Sequence, residues 1–371
     1  MRNLLVLVFL SFLWIPVACE DGSSTNNQTN NLNNLNNVNN ANNVNNINNI
    51  NNLNNINNIN NINNTNNINN TNNTNNQNPV YVGTSDVFAP GPLAVQFLEV
   101  EAAEGGPPVL VRVWYPQAAG TYAIVIFQHG FLMNSGWYSG MLEHLASHGF
   151  VVAAPQMYAA DGLPIGKPTA AEEAVTALEV HGWVTTQLAA RLGTTVPFAQ
   201  RLGYAGHSRG GKVSWLVLDG NPSLAQAVAG VDPVDGTGGP MGGEERVIDG
   251  PFNFPFPSYV LGTGLGSQSS GFNQPCAPEG DNHVEFYGAS TAPAWHVVAT
   301  EYGHNDMLDE DASCGMTCSV CAGGPTPGLF LRLVSGHLTA FFRGALQVDA
   351  GAFATLTDTG AAPVTVTVEN R

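Results

Sequence analysis

Gly206-His207-Ser208-Arg209-Gly210-Gly211, running straight on from the apolar Leu202–Ala205, is the stretch on which the fold is decided. It reads as a strand that turns sharply into a helix around a serine. Strand and helix backbones approach closely at such a turn, so a Cβ at position 206 or 210 would collide, and glycine stands at both. Ser208 is thereby pushed out beyond the strand end. A helix starting at Arg209 aims its free N–H groups and the positive end of its dipole at the space beside Ser208, where an oxyanion would form. The competing reading is a Gly-rich turn with an ordinary serine, and the partners that a nucleophile requires decide between the two.

Downstream of Ser208 those partners occur in the order serine, acid, histidine that an α/β-hydrolase requires. Ala227–Val231 reads as a strand and ends in Asp232-Pro233-Val234-Asp235, which offers two carboxylates. Asp232 is preferred because it is nearest the strand end and Pro233 favours an extended entry; Asp235 is the reserve, and both also suit a turn before Gly236. Of the nine histidines, five precede the serine (His129, His144, His148, His181 and His207). His296 falls inside a strand and His337 inside a helix. His304 follows the strand Trp295–Ala299 on a loop, where a general base belongs, with His283 as the rival. For the oxyanion the expected donors are Arg209 N–H and Phe131 N–H, the latter after the strand Ala123–Phe127 in Gln128-His129-Gly130-Phe131. His129 reads as a satisfied buried histidine. Phe131, Leu132, Met133, Trp137 and Tyr138 line an apolar mouth or pack beneath a helix.

The wider chain reads as one mainly parallel sheet with helices on both faces. Eight strands are expected: Ala94–Glu101, Val109–Tyr115, Ala123–Phe127, Phe150–Ala154, Leu202–Ala205, Ala227–Val231, Ser258–Leu261 and Trp295–Ala299. The tail Val364–Val368 adds a possible edge strand. Thr169-Ala-Ala-Glu172 is a capping box that opens a helix with Ala171, Val175 and Leu178 on one face. A last helix covers Leu329–Leu346.

Residues 1–18, with an apolar run Leu4–Val17 behind Arg2, read as a secretory signal too short to span a membrane. Cys19 immediately follows, which suggests a lipidated, membrane-anchored amino terminus; plain secretion is the alternative. Residues 19–79 are dominated by an uncharged Asn-Asn-x triplet and read as a disordered tether, or else as a three-residue solenoid or an aggregation-prone surface segment. Residues 80–371 form the catalytic domain. Acidic residues outnumber basic ones 28 to 11, a net charge of −17, which argues against nucleic acid as a partner. In an exported chain, Cys276, Cys314, Cys318 and Cys321 predict two disulfides of unassigned pairing. The Cys314-x3-Cys318-x2-Cys321 spacing also matches an iron–sulfur pattern, which an oxidising compartment disfavours. Asp306, Asp309, Glu310 and Asp311 read as a solvated acidic loop rather than a calcium site.

From about Ala119 to Asp311 the ordered set of motifs resembles the chlorophyllase family. It comprises Ala119-Gly-Thr-Tyr, His129-Gly130-Phe131, Leu145-Ala-Ser-His-Gly-Phe150, Val151-Val-Ala-Ala-Pro155-Gln156, Gly206-His-Ser-Arg-Gly-Gly-Lys212 and Gly230-Val-Asp-Pro-Val-Asp-Gly236. Leu261-Gly-Thr-Gly-Leu265, Cys276-Ala-Pro, Asn282-His283 and Tyr302-Gly-His304 complete it. The resemblance implies a triad of Ser208, Asp232 and His304, no metal or other cofactor, and cleavage of the phytyl ester of chlorophyll to chlorophyllide and phytol. The export signal, the Asn-rich tract and the Cys314–Cys321 cluster depart from the plant pattern. An exported enzyme meets external esters first, so a cutinase-like, polyester or platelet-activating-factor acetylhydrolase-like esterase is the alternative. A surface-binding protein on an inactive hydrolase fold is the third reading.

Overall fold

The computed structural model describes residues 79–83, 86–160, 166–236, 246–271, 273–310, 312, 314 and 319–371. The expected signal, Cys19 and almost all of the expected tether lie outside the described residues. The elements are β1 (Val95–Val100), β2 (Val111–Pro116), β3 (Gly120–Gln128), α1 (Ser139–Ser147), β4 (Phe150–Pro155), α2 (Ala170–Thr186), β5 (Thr195–His207) and α3 (Arg209–Gly220). They continue with β6 (Ala227–Val231), β7 (Ser258–Thr263), α4 (His283–Ala289), β8 (Ala294–Ala299), α5 (Pro327–Leu346) and β9 (Val366–Asn370).

The strands form one sheet in the order β1-β2-β4-β3-β5-β6-β7-β8-β9. All eight expected strands are present, and the tail adds β9, so the sheet has nine strands rather than eight. β9 pairs antiparallel with β8, where Val366 and Val368 pack on the core and cover an edge that eight strands would leave open. β1 and β2 are antiparallel, and β4, β3, β5, β6, β7 and β8 run parallel.

Every residue of β4, β6 and β7 is buried, as an unbroken apolar run predicts for a strand covered on both faces. Successive side chains of β3 go to opposite layers. Ala123, Val125 and Phe127 join Leu333, Leu338 and Phe341 of α5, whereas Ile124 and Ile126 join Ala177 and Val184 of α2 and Val213 of α3.

The capping box at Thr169 is formed in full, each side chain meeting the other's backbone N–H. The face that α2 buries is not the expected one. Val175 and Leu178 are 59% and 43% exposed, and the buried stripe runs through Ala170, Glu173, Ala174, Ala177 and Val180. Small side chains let α2 approach α3 closely, and Glu173 turns inward because Arg209 of α3 meets it at 3.1 Å. α5 begins two residues before the expected start, at Pro327, whose missing N–H costs nothing in a first helical turn.

Parallel pairing puts the carboxyl ends of the central strands along one rim. Gln128 of β3 stands opposite Gly206 of β5, His207 opposite Val231 of β6, and Val231 opposite Leu261 of β7. Loops leaving these ends are therefore neighbours.

Candidate active site

Ser208 sits between β5 and α3 with φ 54° and ψ −122°, a conformation most side chains avoid. Its N–H donates to Val231 O (3.1 Å), and its own carbonyl accepts from Val234 N–H (3.2 Å), tying the turn to the loop after β6. The flanking glycines are obligatory. A Cβ at Gly206 would lie 2.2 Å from the backbone of Gly210, and one at Gly210 would lie 2.1 Å from Gln128 O.

The loop after β6 separates the two carboxylates. Asp232 is fully buried, and its Oδ2 lies 2.6 Å from His304 Nδ1. Thr263, the last residue of β7, donates its N–H to Oδ1 (2.9 Å) and its hydroxyl to Oδ2 (2.7 Å). Asp235 faces away. It accepts the N–H groups of Val247 (2.8 Å) and Ile248 (3.1 Å) and lies 3.7 Å from the buried Lys212 Nζ, so its work is to hold a loop.

Asp232 directly follows the end of β6, as expected, and is the carboxylate placed against His304, but the extended entry expected from Pro233 is absent. Asp232 has φ 43°, in the left-handed region rather than extended. Pro233 instead acts by packing. It lies where a Cβ on Gly211 (2.6 Å) or Gly230 (2.9 Å) would have to go, seating the Asp232 turn against α3.

Burial alone would raise the Asp232 pKa. The hydrogen bond from His304, the charges of His304 and His283, and the Thr263 hydroxyl outweigh it and hold the carboxyl below its ordinary value.

His304 is buried on the loop after β8, and its carbonyl accepts from His207 Nε2–H at 2.9 Å, with the two rings 4.6 Å apart. His304 is thus bonded to the residue that immediately precedes Ser208. His283, the rival, packs against Gly262 and takes His296 as its partner (Nδ1 to Nε2, 2.8 Å).

Along the loop after β3, Gly130 N–H donates to Tyr138 Oη (3.1 Å) and Leu132 N–H to Tyr158 Oη (3.0 Å). Phe131 N–H, between them, has no acceptor among the described residues. Arg209 opens α3, and its guanidinium lies 4.0 Å over the Phe131 ring while bonding Glu173 and Pro168 O. His129 is a satisfied core residue: Nδ1–H donates to Gly130 O, Nε2 accepts from Met157 N–H, and burial lowers its pKa to about 4. Of the five expected mouth residues, Met133 and Tyr138 belong to the core, while Phe131, Leu132 and Trp137 stay half-exposed.

Cys276 and Cys321 form a disulfide. Cys314 is disulfide-bonded as well, and Cys318 lies outside the described residues. Asp306 Oδ2 accepts Gly303 and Gly324 N–H (both 2.7 Å), and Asp309 Oδ1 accepts Gly140 N–H, so these carboxylates brace loops. Asp311 lies outside the described residues.

Residue-type reasoning missed Thr263, His207 and Tyr138. Thr263 carried a signal, since it closely follows Ser258–Leu261, the next expected strand after the one leading to Asp232. The other two are separated by 69 positions and meet only in the fold.

Comparison with known proteins matches residues 83–371 to the family described as Chlorophyllase. The chain is 36% identical over 282 residues to Chlorophyllase-1 of Arabidopsis thaliana, covering 71% of this chain and 86% of that one. It is 34% identical over 263 residues to Chlorophyllase-2 of the same plant, covering 67% and 80%. It is 29% identical over 315 residues to Chlorophyllase type 0 of Chenopodium album, covering 77% and 86%. With the elbow serine, the buried aspartate and its histidine all inside the matched span, the chain belongs to the chlorophyllase family and is a carboxylic ester hydrolase.

Proposed function

We propose that this hydrolase cleaves a hydrophobic ester through an acyl-serine intermediate, with Ser208 as nucleophile, His304 as general base and acid, and Asp232 as the carboxylate that orients it. The observation that carries the reading is the 2.6 Å hydrogen bond between His304 Nδ1 and Asp232 Oδ2. With its proton on Nδ1 donated to the carboxylate, the neutral imidazole leaves Nε2 bare to accept a proton. Ser208 Oγ adds to the ester carbonyl carbon as its proton passes to His304 Nε2. Phe131 N–H and Arg209 N–H donate to the oxyanion. Collapse breaks the carbon–oxygen bond, the alcohol leaves with the His304 proton, and water then releases the acid by the same sequence.

The names of the relatives and the half-exposed Phe131, Leu132 and Trp137 support a long apolar alcohol such as the phytyl group of chlorophyll. Export through residues 1–18, with Cys19 as lipid anchor and residues 19–79 as tether, is part of the same proposal. Loss of radiolabelled acyl chain in Cys19→Ser tests the anchor.

A fluorophosphonate probe tests the chemistry. Wild-type protein is expected to label and Ser208→Ala not to; failure of the wild type to label refutes the nucleophile. Asp232→Asn is expected to lower kcat on a short-chain aryl ester by roughly 10³–10⁴-fold through loss of the tautomer. Asp235→Asn is expected to act mainly on stability, and a greater loss of turnover there refutes Asp232 as the acid. Purified protein offered chlorophyll, long-chain lipid esters and polyester is expected to prefer chlorophyll; preference for either of the others refutes the phytyl assignment.

A further inference from the structure

The two loops that serve Ser208 leave different strands, yet one buried side-chain pair joins them. Tyr138, at the entrance to α1, and His207, the last residue of β5, are each 0% exposed. Tyr138 Oη accepts Gly130 N–H at 3.1 Å and lies 2.8 Å from His207 Nδ1. His207 Nε2 lies 2.9 Å from His304 O, and because a carbonyl only accepts, that nitrogen carries the proton. Nδ1 is therefore the acceptor for the Tyr138 hydroxyl. Met133 Sδ also lies 2.8 Å from Tyr138 Oη, but a thioether is the weaker acceptor and tyrosine has a single proton to give. A continuous chain results, from Gly130 N–H through Tyr138 and His207 to the His304 carbonyl. At one end is the His129–Gly130 peptide, one unit before the peptide that carries the Phe131 N–H, at the other the backbone of His304, and the middle is covalently next to Ser208. Burial keeps the His207 ring neutral, as this arrangement requires. Space is equally tight, since a Cβ on Gly130 would lie 3.1 Å from His207 Nδ1.

We infer that Tyr138 and His207 are positioning residues that hold the Phe131 donor and the His304 imidazole in register about Ser208. The inference rests on the acyl-serine reading above. Neither side chain reaches substrate; both act through the backbone atoms they bind. Displacement of a catalytic group by even about 1 Å is enough to cost on the order of 10²-fold in rate, so loss of the tie should appear in turnover before it appears in binding.

Tyr138→Phe removes one hydroxyl and keeps the ring. It is expected to lower kcat on an aryl ester roughly 10- to 100-fold, with KM changed less than about threefold. Glutamine at 207 retains an N–H near the Nε2 position, and asparagine retains a polar atom near Nδ1. His207→Gln is therefore expected to keep at least about tenfold more activity than His207→Ala or His207→Asn, because it alone still donates to His304 O. Fluorophosphonate labelling rates should follow the same order.

Folded fraction is measured for each variant by thermal melting. If Tyr138→Phe melts near the wild type and keeps its kcat, or if His207→Gln is no better than His207→Ala, the inference is overturned while the acyl-serine reading stands. If the wild type itself fails to label, it is that reading that falls.

Discussion

At the scale of single residues, the site is built from backbone conformations that only particular side chains permit. Ser208, Asp232 and Leu132 all have φ between 43° and 57°, and each lies on a loop at the same rim of the sheet. Strain of this kind persists only where the surroundings over-determine it. Around Ser208 they do, through two glycines whose Cα atoms face backbone at contact distance. Gly206→Ala and Gly210→Ala are each expected to destabilise the fold by about 1–3 kcal/mol or more, because a rigid carbonyl cannot yield as a side chain would. Chemical denaturation measures this, and a loss below about 0.5 kcal/mol for either would show that the elbow relaxes freely. Ala at Gly220, where a Cβ meets nothing within 4 Å, is the matched control.

At the scale of elements, the loop bearing His304 is braced from outside the sheet. The Cys276–Cys321 bridge links the connection between β7 and α4 to the one between β8 and α5, closing a span of 45 residues. Ala322, next to Cys321, presses its carbonyl into the place a Gly303 Cβ would occupy, and Asp306 binds the N–H groups of both Gly303 and Gly324. Chain-entropy arguments give a loop of this length about 4 kcal/mol of stabilisation. The paired change Cys276→Ser with Cys321→Ser is expected to lower unfolding free energy by about 2–4 kcal/mol in urea. An unchanged midpoint would show that the bridge does not restrain the unfolded chain. On the opposite layer, α2 and α3 are joined by the Glu173–Arg209 pair, with both side chains almost fully buried. Removing one partner strands a buried charge, so Glu173→Gln is expected to cost roughly 3–5 kcal/mol, read as a drop in melting temperature.

At the scale of the whole molecule, buried histidines set the response to acid. Burial lowers His129, His148 and His296 to about 4 and His337 to about 3, and it also depresses His144, His181, His207 and His283. Between about pH 4 and 6.5 the unfolded chain therefore binds protons that the folded chain refuses. Stability rises with pH wherever the unfolded state holds more protons, so it should fall as pH drops below about 6.5 and level off above it. Each deeply depressed histidine adds a slope approaching about 1.4 kcal/mol per pH unit. Asp232, whose pKa is depressed, contributes stability above its unfolded pKa and loses it as pH falls through its folded value, adding a further loss at stronger acid. Melting temperatures from pH 7.5 to 4.5 check this, and a flat profile would show that these histidines are protonated in the folded state.

Local pattern was sufficient for what depends on neighbours in the chain. The elbow turn, the strand runs, the capping box and the placing of Ser208, Asp232 and His304 just past strand ends were all legible, because glycine spacing, apolar runs and side-chain-to-backbone capping act within a few residues. The face that α2 buries was not, since alanine and valine differ little in pattern and only the approach of α3, with Arg209 on it, selects the Glu173 side. Asp232 was already preferred over Asp235 from its place beside the strand end, but their surroundings needed the fold: both follow the same strand, yet only one turns toward Thr263 and His304, while the other is taken up by Val247, Ile248 and Lys212. The Tyr138–His207 tie lies entirely beyond pattern. A hydrogen bond between residues far apart in sequence leaves no periodicity, and parallel strand packing is what brings its ends together.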